Sequence, residues 1–169
     1  MLNQSLFSSV KQSWNTPEEV LTPVRKLAPG GRIAFDPCSN ATSIVKARWS
    51  IIYPQNDGLK VSWKKWAKDG LTYVNPEYGK ALKPWVAKIV HEAKQGLEIV
   101  ALVPSRTDTK WFYEVFWSAN ALCFWKGRIK FLGAPTSAPF PSLVAYWGKR
   151  ASEFERCFEE KGNCIVLDA

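Results

Sequence analysis

Three short apolar runs of β type each break off into a polar turn, and this repetition constrains the fold more than any other feature. Arg32-Ile-Ala-Phe35 runs into Asp36-Pro-Cys-Ser-Asn40, Leu71-Thr-Tyr-Val74 into Asn75-Pro-Glu-Tyr-Gly79, and Leu97-Glu-Ile-Val-Ala-Leu-Val103 into Pro104-Ser-Arg-Thr-Asp-Thr-Lys110. Between the second and third runs, residues 84 to 95 have helical periodicity, with Trp85, Val86, Ile89, Val90 and Ala93 on one face and Gly96 as the stop. Strands alternating with helices predict an α/β fold: a mostly parallel sheet with helices on both faces, ending in an antiparallel part between about Ala121 and Trp147. In such sheets ligands bind outside the carboxyl ends of the strands, so the loops 36 to 40, 75 to 79 and 104 to 110 should converge on one crevice.

The remaining elements fill in around this frame. Thr16 is placed to N-cap a helix with Pro17 at its first position and Glu19 in the capping-box position, the helix running to about Leu27 before Pro29-Gly-Gly31. A second helix is expected from Ala41 to about Arg48, with Asp36 either at the crevice or capping that helix. Trp49 to Tyr53 reads as a strand, followed by a turn carrying Asp57. Leu59 to Lys68 interleaves Trp63 and Trp66 with Lys60, Lys64, Lys65 and Lys68, a composition that serves either phosphate contact and stacking or a packed face with solvated lysines. His91 lies beside the apolar stripe of the helix at 84 to 95 and is read as structural. Trp111 to Ala119 is expected as a helix, Ala121 to Trp125 as a strand, and Lys126 to Phe131 as a turn and strand. The long loop from Gly133 to Ser142 is a candidate substrate-contacting loop. Leu143 to Trp147 returns as a strand, and a helix from Ser152 to Lys161 with a strand from Asn163 to Leu167 forms an appended cover.

The chemistry concentrates at Asn75 to Gly79. The Asn75 side-chain carbonyl and the Pro76 backbone carbonyl can accept the two hydrogens of an amino group on a flat ring, while the Tyr78 ring stacks on that ring. The formal net charge of +8 and pI near 9.4 favour a polyanionic partner, nucleic acid first. The 169 residues suit one domain, with a core at about 14 to 147, and no apolar run is long enough to span a bilayer. The opening MLNQSLFSSVKQSW lacks the basic start and long apolar core of a signal peptide, so a cytoplasmic protein is expected. Four cysteines without a CxxC pair and a single histidine support neither a metal site nor a disulfide scaffold.

In their order along the chain, WNTPEEV, FDPCSN, NDGL with the downstream Trp63, VNPEYG, LVPSRTDTKWF, KGRIKF and APFPS resemble the small phage-type, Dam-like DNA N6-adenine methyltransferases over about residues 14 to 147. The resemblance implies a Rossmann-like fold, S-adenosylmethionine as cofactor, double-stranded DNA as partner, and methyl transfer to adenine N6. It makes Asn75, Pro76 and Tyr78 the catalytic set, through the (D/N)PPY motif. It makes Thr16, Asp36, Pro37, Cys38, Asp57 and Asn75 the candidate cofactor residues. Candidate DNA or base contacts are Tyr78, Lys64, Lys65, Arg106, Lys110 and Arg128. Two positions depart from the pattern: Asn40 stands near a glycine of the wider superfamily, and Glu77 replaces the second proline of the motif. The same chemistry on another amine (cytosine N4, an RNA adenine or a protein glutamine) and an altered, non-catalytic binder of DNA or cofactor are the alternatives.

Overall fold

Seven strands, β1 (Phe35–Ser39), β2 (Trp49–Ile52), β3 (Leu71–Val74), β4 (Glu98–Pro104), β5 (Ala121–Trp125), β6 (Ser142–Trp147) and β7 (Gly162–Val166), form one sheet in the computed structural model, which describes residues 14–167. The order is β2-β1-β3-β4-β6-β5-β7. The first four strands in that order are mutually parallel, and β6, β5 and β7 continue the sheet with antiparallel pairings. The α/β architecture expected from the strand-and-turn repetition is therefore present, with its antiparallel part at the C-terminal side.

Because successive strand residues point to opposite faces, each buried strand feeds two cores. Tyr73, Val100, Leu102, Val144 and Tyr146 face helices α1 (Glu18–Leu27) and α5 (Ala151–Phe158), meeting Val20, Leu21, Val24, Phe154 and Phe158. Val74, Ile99, Ala101, Leu143 and Ala145 face the other way, onto α2 (Lys64–Ala67), α3 (Leu82–Lys94) and α4 (Lys110–Ser118). Such two-sided burial explains why β3 and β4 are near-continuous apolar runs rather than alternating ones. Among the described residues no helix is long and apolar enough to cross a membrane.

Four local expectations are corrected. The first strand is not 32 to 35: β1 spans Phe35–Ser39, so Asp36, Pro37, Cys38 and Ser39 lie in the strand rather than in a turn. The segment 41 to 48 is not a helix: β1 connects to β2 through irregular chain. Its Thr, Ser, Ile and Val residues are poor helix formers. Asn40 and Ser43 side chains accept the backbone N–H groups of Thr42 (2.9 Å) and Val45 (3.3 Å), and Lys46 takes a positive φ of 53°. Asp36 therefore caps no helix. Residues 126 to 131 form no strand; Leu132 alone makes an antiparallel bridge, to Asn15. Thr16 does not cap α1 either, since Pro17 occupies that position and its carbonyl accepts from Val20 and Leu21. The freed Thr16 hydroxyl points into the site instead.

Of the interleaved Trp and Lys residues, Trp63 is fully buried, its Nε1 donating to the Gly58 carbonyl at 2.8 Å, while Lys64 and Lys65 are exposed. His91 is exposed on α3, and the adjacent Glu92 is the buried acid, paired with Lys88 at 2.7 Å.

Candidate active site

Parallel strands place their carboxyl ends side by side, so the turns after β1, β3 and β4 meet at one end of the sheet. β5 runs antiparallel to β6, which runs antiparallel to β4. The long connection 126 to 141 therefore leaves β5 at that same end and forms a fourth wall. It is tied to the loop after β4 by the Ser105 N–H, which donates to the Pro141 carbonyl at 2.8 Å.

At the centre is Asn75, half-buried at the tip of β3. Its Nδ2 donates to the Trp14 carbonyl at 2.6 Å and to Thr16 Oγ1 at 3.0 Å. A backbone carbonyl can only accept, so the nitrogen must be on the Trp14 side and Oδ1 must face the crevice. Thr16 Oγ1 in turn bonds the Tyr73 hydroxyl at 2.9 Å, on the floor of the sheet. Burial pushes the Tyr73 phenol well above its ordinary pKa, so it stays a neutral partner. The Trp14–Thr16 segment is itself anchored: Asn40 Nδ2 donates to Asn15 Oδ1 at 2.6 Å, and Asn15 Nδ2 donates to Thr42 Oγ1 at 2.7 Å. Asn40, the departure from glycine, thus ties the turn after β1 to the segment that holds Asn75.

The Tyr78 hydroxyl donates to Asn75 Oδ1 at 3.1 Å and approaches the Leu102 carbonyl at 3.4 Å. Burial pushes its pKa upward as well. Its ring meets Phe131 and Phe140 edge-on, with centroids 6.2 and 5.3 Å away, and Trp14 packs edge-on against the same two rings at 5.1 and 5.9 Å. Four aromatic rings therefore pack together beside the Asn75 amide. Pro76 is buried, whereas Glu77 is exposed, its charge adding to the upward push on the Cys38 thiol.

On the other side of Asn75 lies Asp36, which is 3% exposed. Its Oδ1 accepts the Cys38 N–H at 3.1 Å. Among the described residues no cation comes within ion-pair distance of it. Burial pushes its carboxyl up from 3.8 to about 6, only partly offset by hydrogen bonds from Cys38 and Ser39. The Cys38 thiol is also pushed up, first by burial and then by the Asp36 charge, with the Asn75 N–H against its sulfur. Asp57 joins this group because Gly58 has no side chain: a Cβ there would lie 1.9 Å from the Pro37 carbonyl oxygen. Only glycine lets the Asp57 turn back directly onto Asp36-Pro37. Asp57 is half-buried; it accepts the Leu59 N–H at 3.0 Å and pairs loosely with Lys60 at 3.6 Å.

Of the basic residues expected at the site, Arg106, Lys110 and Arg128 are exposed at the carboxyl end, around the crevice. Lys64 and Lys65 are not brought there. Their helix α2 packs Trp66 on Phe35 and Trp49, the first residues of β1 and β2, at the opposite ends of those strands, and Lys65 lies over the Trp66 ring at 5.1 Å. Trp14, Phe131, Phe140 and the Asn15–Asn40 tie carried no assigned role in the sequence, although each lies in one of the quoted motifs.

A sheet parallel in its first half and antiparallel in its second, clad by helices on both faces and carrying this turn at the end of β3, defines an α/β protein of the methyltransferase fold. The chain belongs to the DNA N-6-adenine-methyltransferase (Dam) family, whose model matches residues 3–144. No curated protein matches it.

Proposed function

We propose that this protein transfers the methyl group of S-adenosylmethionine to the N6 amino group of adenine in double-stranded DNA. The observation that carries the reading is the Asn75 amide, pinned by its nitrogen so that its oxygen is the acceptor offered to the crevice. The cofactor reading is supported by the donor set it would meet. Among the described residues Asp36 is a buried carboxylate without a cation, and Asp57 is set against the same stretch of β1 by Gly58. A ligand bringing positive charge and hydroxyl donors suits that pair, and S-adenosylmethionine brings a sulfonium, an ammonium and ribose hydroxyls. When bound, it supplies an electrophilic methyl group on a positively charged sulfur. In this reading Asp36 and Asp57 hold it, with Pro37 and Cys38 following Asp36 in β1.

The chain's own contribution is to ready the nitrogen that attacks. An adenine amino lone pair is delocalised into its ring and is a weak nucleophile. Asn75 Oδ1 and the Pro76 carbonyl accept its two hydrogens, favour a pyramidal nitrogen and aim the lone pair at the methyl group. The nitrogen–carbon bond forms as the sulfur–carbon bond breaks, and the extra amine proton leaves to solvent, so no strong base is required. Orientation of this kind can supply roughly 7 to 11 kcal/mol in favourable systems, and fixed acceptors need no reorganisation as charge develops. Adenine reaches Asn75 only after leaving the duplex, at a cost of a few kcal/mol. The partly exposed rings of Trp14, Tyr78 and Phe140, backed by the buried Phe131, offer apolar surface for it. Because the Tyr78 hydroxyl sits on Asn75 Oδ1, the incoming amino group takes over that hydrogen bond.

Arg106, Lys110 and Arg128 are assigned to the phosphate backbone. Replacing Arg106 and Arg128 together with alanine should weaken binding to all DNA sequences alike and lower the slope of log affinity against log salt by about 2, read from titrations at several ionic strengths. Glu77 is exposed and forms no ion pair among the described residues, so Glu77→Gln should change the transfer rate by less than about threefold, as surface substitutions outside a network usually do. Single-turnover rates with labelled cofactor measure this. A rise or fall of tenfold or more would place the carboxylate in the reaction.

A further inference from the structure

The hydrogen bonds around Asn75 form a chain that starts outside the motif carrying the asparagine. Tyr73 lies beneath, Thr16 bridges, and the Asn75 amide nitrogen is gripped by Thr16 and the Trp14 carbonyl together. Both amide hydrogens are thereby used on one side, and the carbonyl oxygen is the only polar atom of the side chain left facing the crevice. Were the amide turned over, its oxygen would meet the lone pairs of Trp14 and its NH2 would face an incoming amino group, donor against donor. Thr16 is 3% exposed and its hydroxyl is fully engaged by Tyr73 and Asn75.

We propose that Thr16 is a positioning residue for Asn75: its hydroxyl, together with the Trp14 carbonyl that can only accept, holds the amide in the one orientation that offers oxygen to the target amine. This rests on the reading of Asn75 as the methyl-transfer acceptor, and it gives Thr16 a role different from cofactor contact. It also accounts for the elaborate anchoring of the Trp14–Thr16 segment through Asn15 and Asn40, because the segment must be rigid to hold the amide.

The test compares Thr16→Val, which keeps shape and loses the hydroxyl, with Thr16→Ser, which keeps it. With saturating S-adenosylmethionine and unmethylated DNA, Thr16→Val should lower kcat by about 10- to 100-fold, the effect of one well-placed hydrogen bond. KM for DNA and the cofactor Kd should stay within about twofold, and Thr16→Ser should recover most of the rate. A raised cofactor Kd with kcat retained would overturn the proposal in favour of cofactor contact. Unchanged kcat per folded molecule in Thr16→Val would overturn it outright. A second readout needs no activity: in the wild-type protein both side-chain amide hydrogens of Asn75 should exchange slowly with solvent by NMR. In Thr16→Val one of them should lose that protection. Fast exchange of either in the wild type would also overturn the proposal. A wild-type protein that transfers no methyl group would strike the function reading instead, with the amide signals still deciding the role of Thr16.

Discussion

Asn75→Ala should reduce methyl transfer to DNA by about 100- to 1,000-fold, the range found when one preorganised hydrogen-bonding group is removed from a polar catalytic site. The substitution deletes the acceptor for the amine and also frees Thr16, the Trp14 carbonyl and the Tyr78 hydroxyl from their common partner. Each loss has a structural cost, so far-UV circular dichroism and thermal unfolding must show a folded protein for the rate to be informative. Cofactor affinity should fall little, since Asp36 and Asp57 remain. Asn75→Asp separates the two ends of the amide. The wider motif accepts aspartate, but here the inner atom must donate to the Trp14 carbonyl, and a carboxylate would set acceptor against acceptor. Asn75→Asp should therefore also lose rate in this chain, despite keeping an oxygen toward the crevice.

Asp36→Asn should stabilise the cofactor-free protein at neutral pH while weakening S-adenosylmethionine binding. Burial holds the carboxyl at about 6 in the folded chain, against 3.8 for the ordinary group. The folded state therefore binds this proton more tightly than the unfolded one. The stability this confers is complete below about pH 4, fades as the pH rises towards 6, and is gone above it. At pH 7 the buried carboxylate is a liability of as much as about 3 kcal/mol, a shift of about two units at 1.36 kcal/mol each. The isosteric amide can still accept the Cys38 N–H and has no charge to desolvate. Denaturant unfolding of Asp36→Asn should show higher stability at pH 7 and a flatter profile from pH 4 to 6, with cofactor affinity by calorimetry reduced about 10-fold or more. Lower stability at pH 7 together with unchanged cofactor affinity would remove Asp36 from the binding role. A destabilising charge within a central strand is the kind of local cost that functional sites carry.

The parallel half of the fold was readable because β3 and β4 are apolar runs with abrupt polar ends and α3 has a clear helical stripe closed by Gly96, whereas β1 lies at 35 to 39, displaced from the apolar run at 32 to 35. Where the sequence misled, side-chain competition decided. Residues 41 to 48 have helical length but are occupied by Asn40 and Ser43 bonding to the backbone, and Thr16-Pro17-Glu18-Glu19 has the composition of a capping box while Thr16 is drawn to Tyr73 and Asn75. No local pattern reports such a tertiary competitor, because the partners lie 57 and 59 positions away. The candidate site divides the same way. Asn75, Pro76 and Tyr78 were visible as turn residues at a strand end, and Asp36 as a carboxylate following an apolar run, although it lies within β1. The aromatic cluster of Trp14, Phe131 and Phe140 was not, since it is assembled from three distant segments, one of them tied in by the isolated bridge between Asn15 and Leu132. Lys64 and Lys65 were indistinguishable from nucleic-acid contacts in composition, and only the packing of Trp66 on Phe35 and Trp49 puts them at the other end of the sheet.

Incubation of the purified protein with methyl-labelled S-adenosylmethionine and unmethylated double-stranded DNA, followed by digestion to nucleosides, addresses the Asn75 turn most directly. The label should appear in N6-methyladenine with the wild-type protein and be lost with Asn75→Ala. Cofactor binding without transfer to any DNA, or label found only in cytosine, would contradict the account.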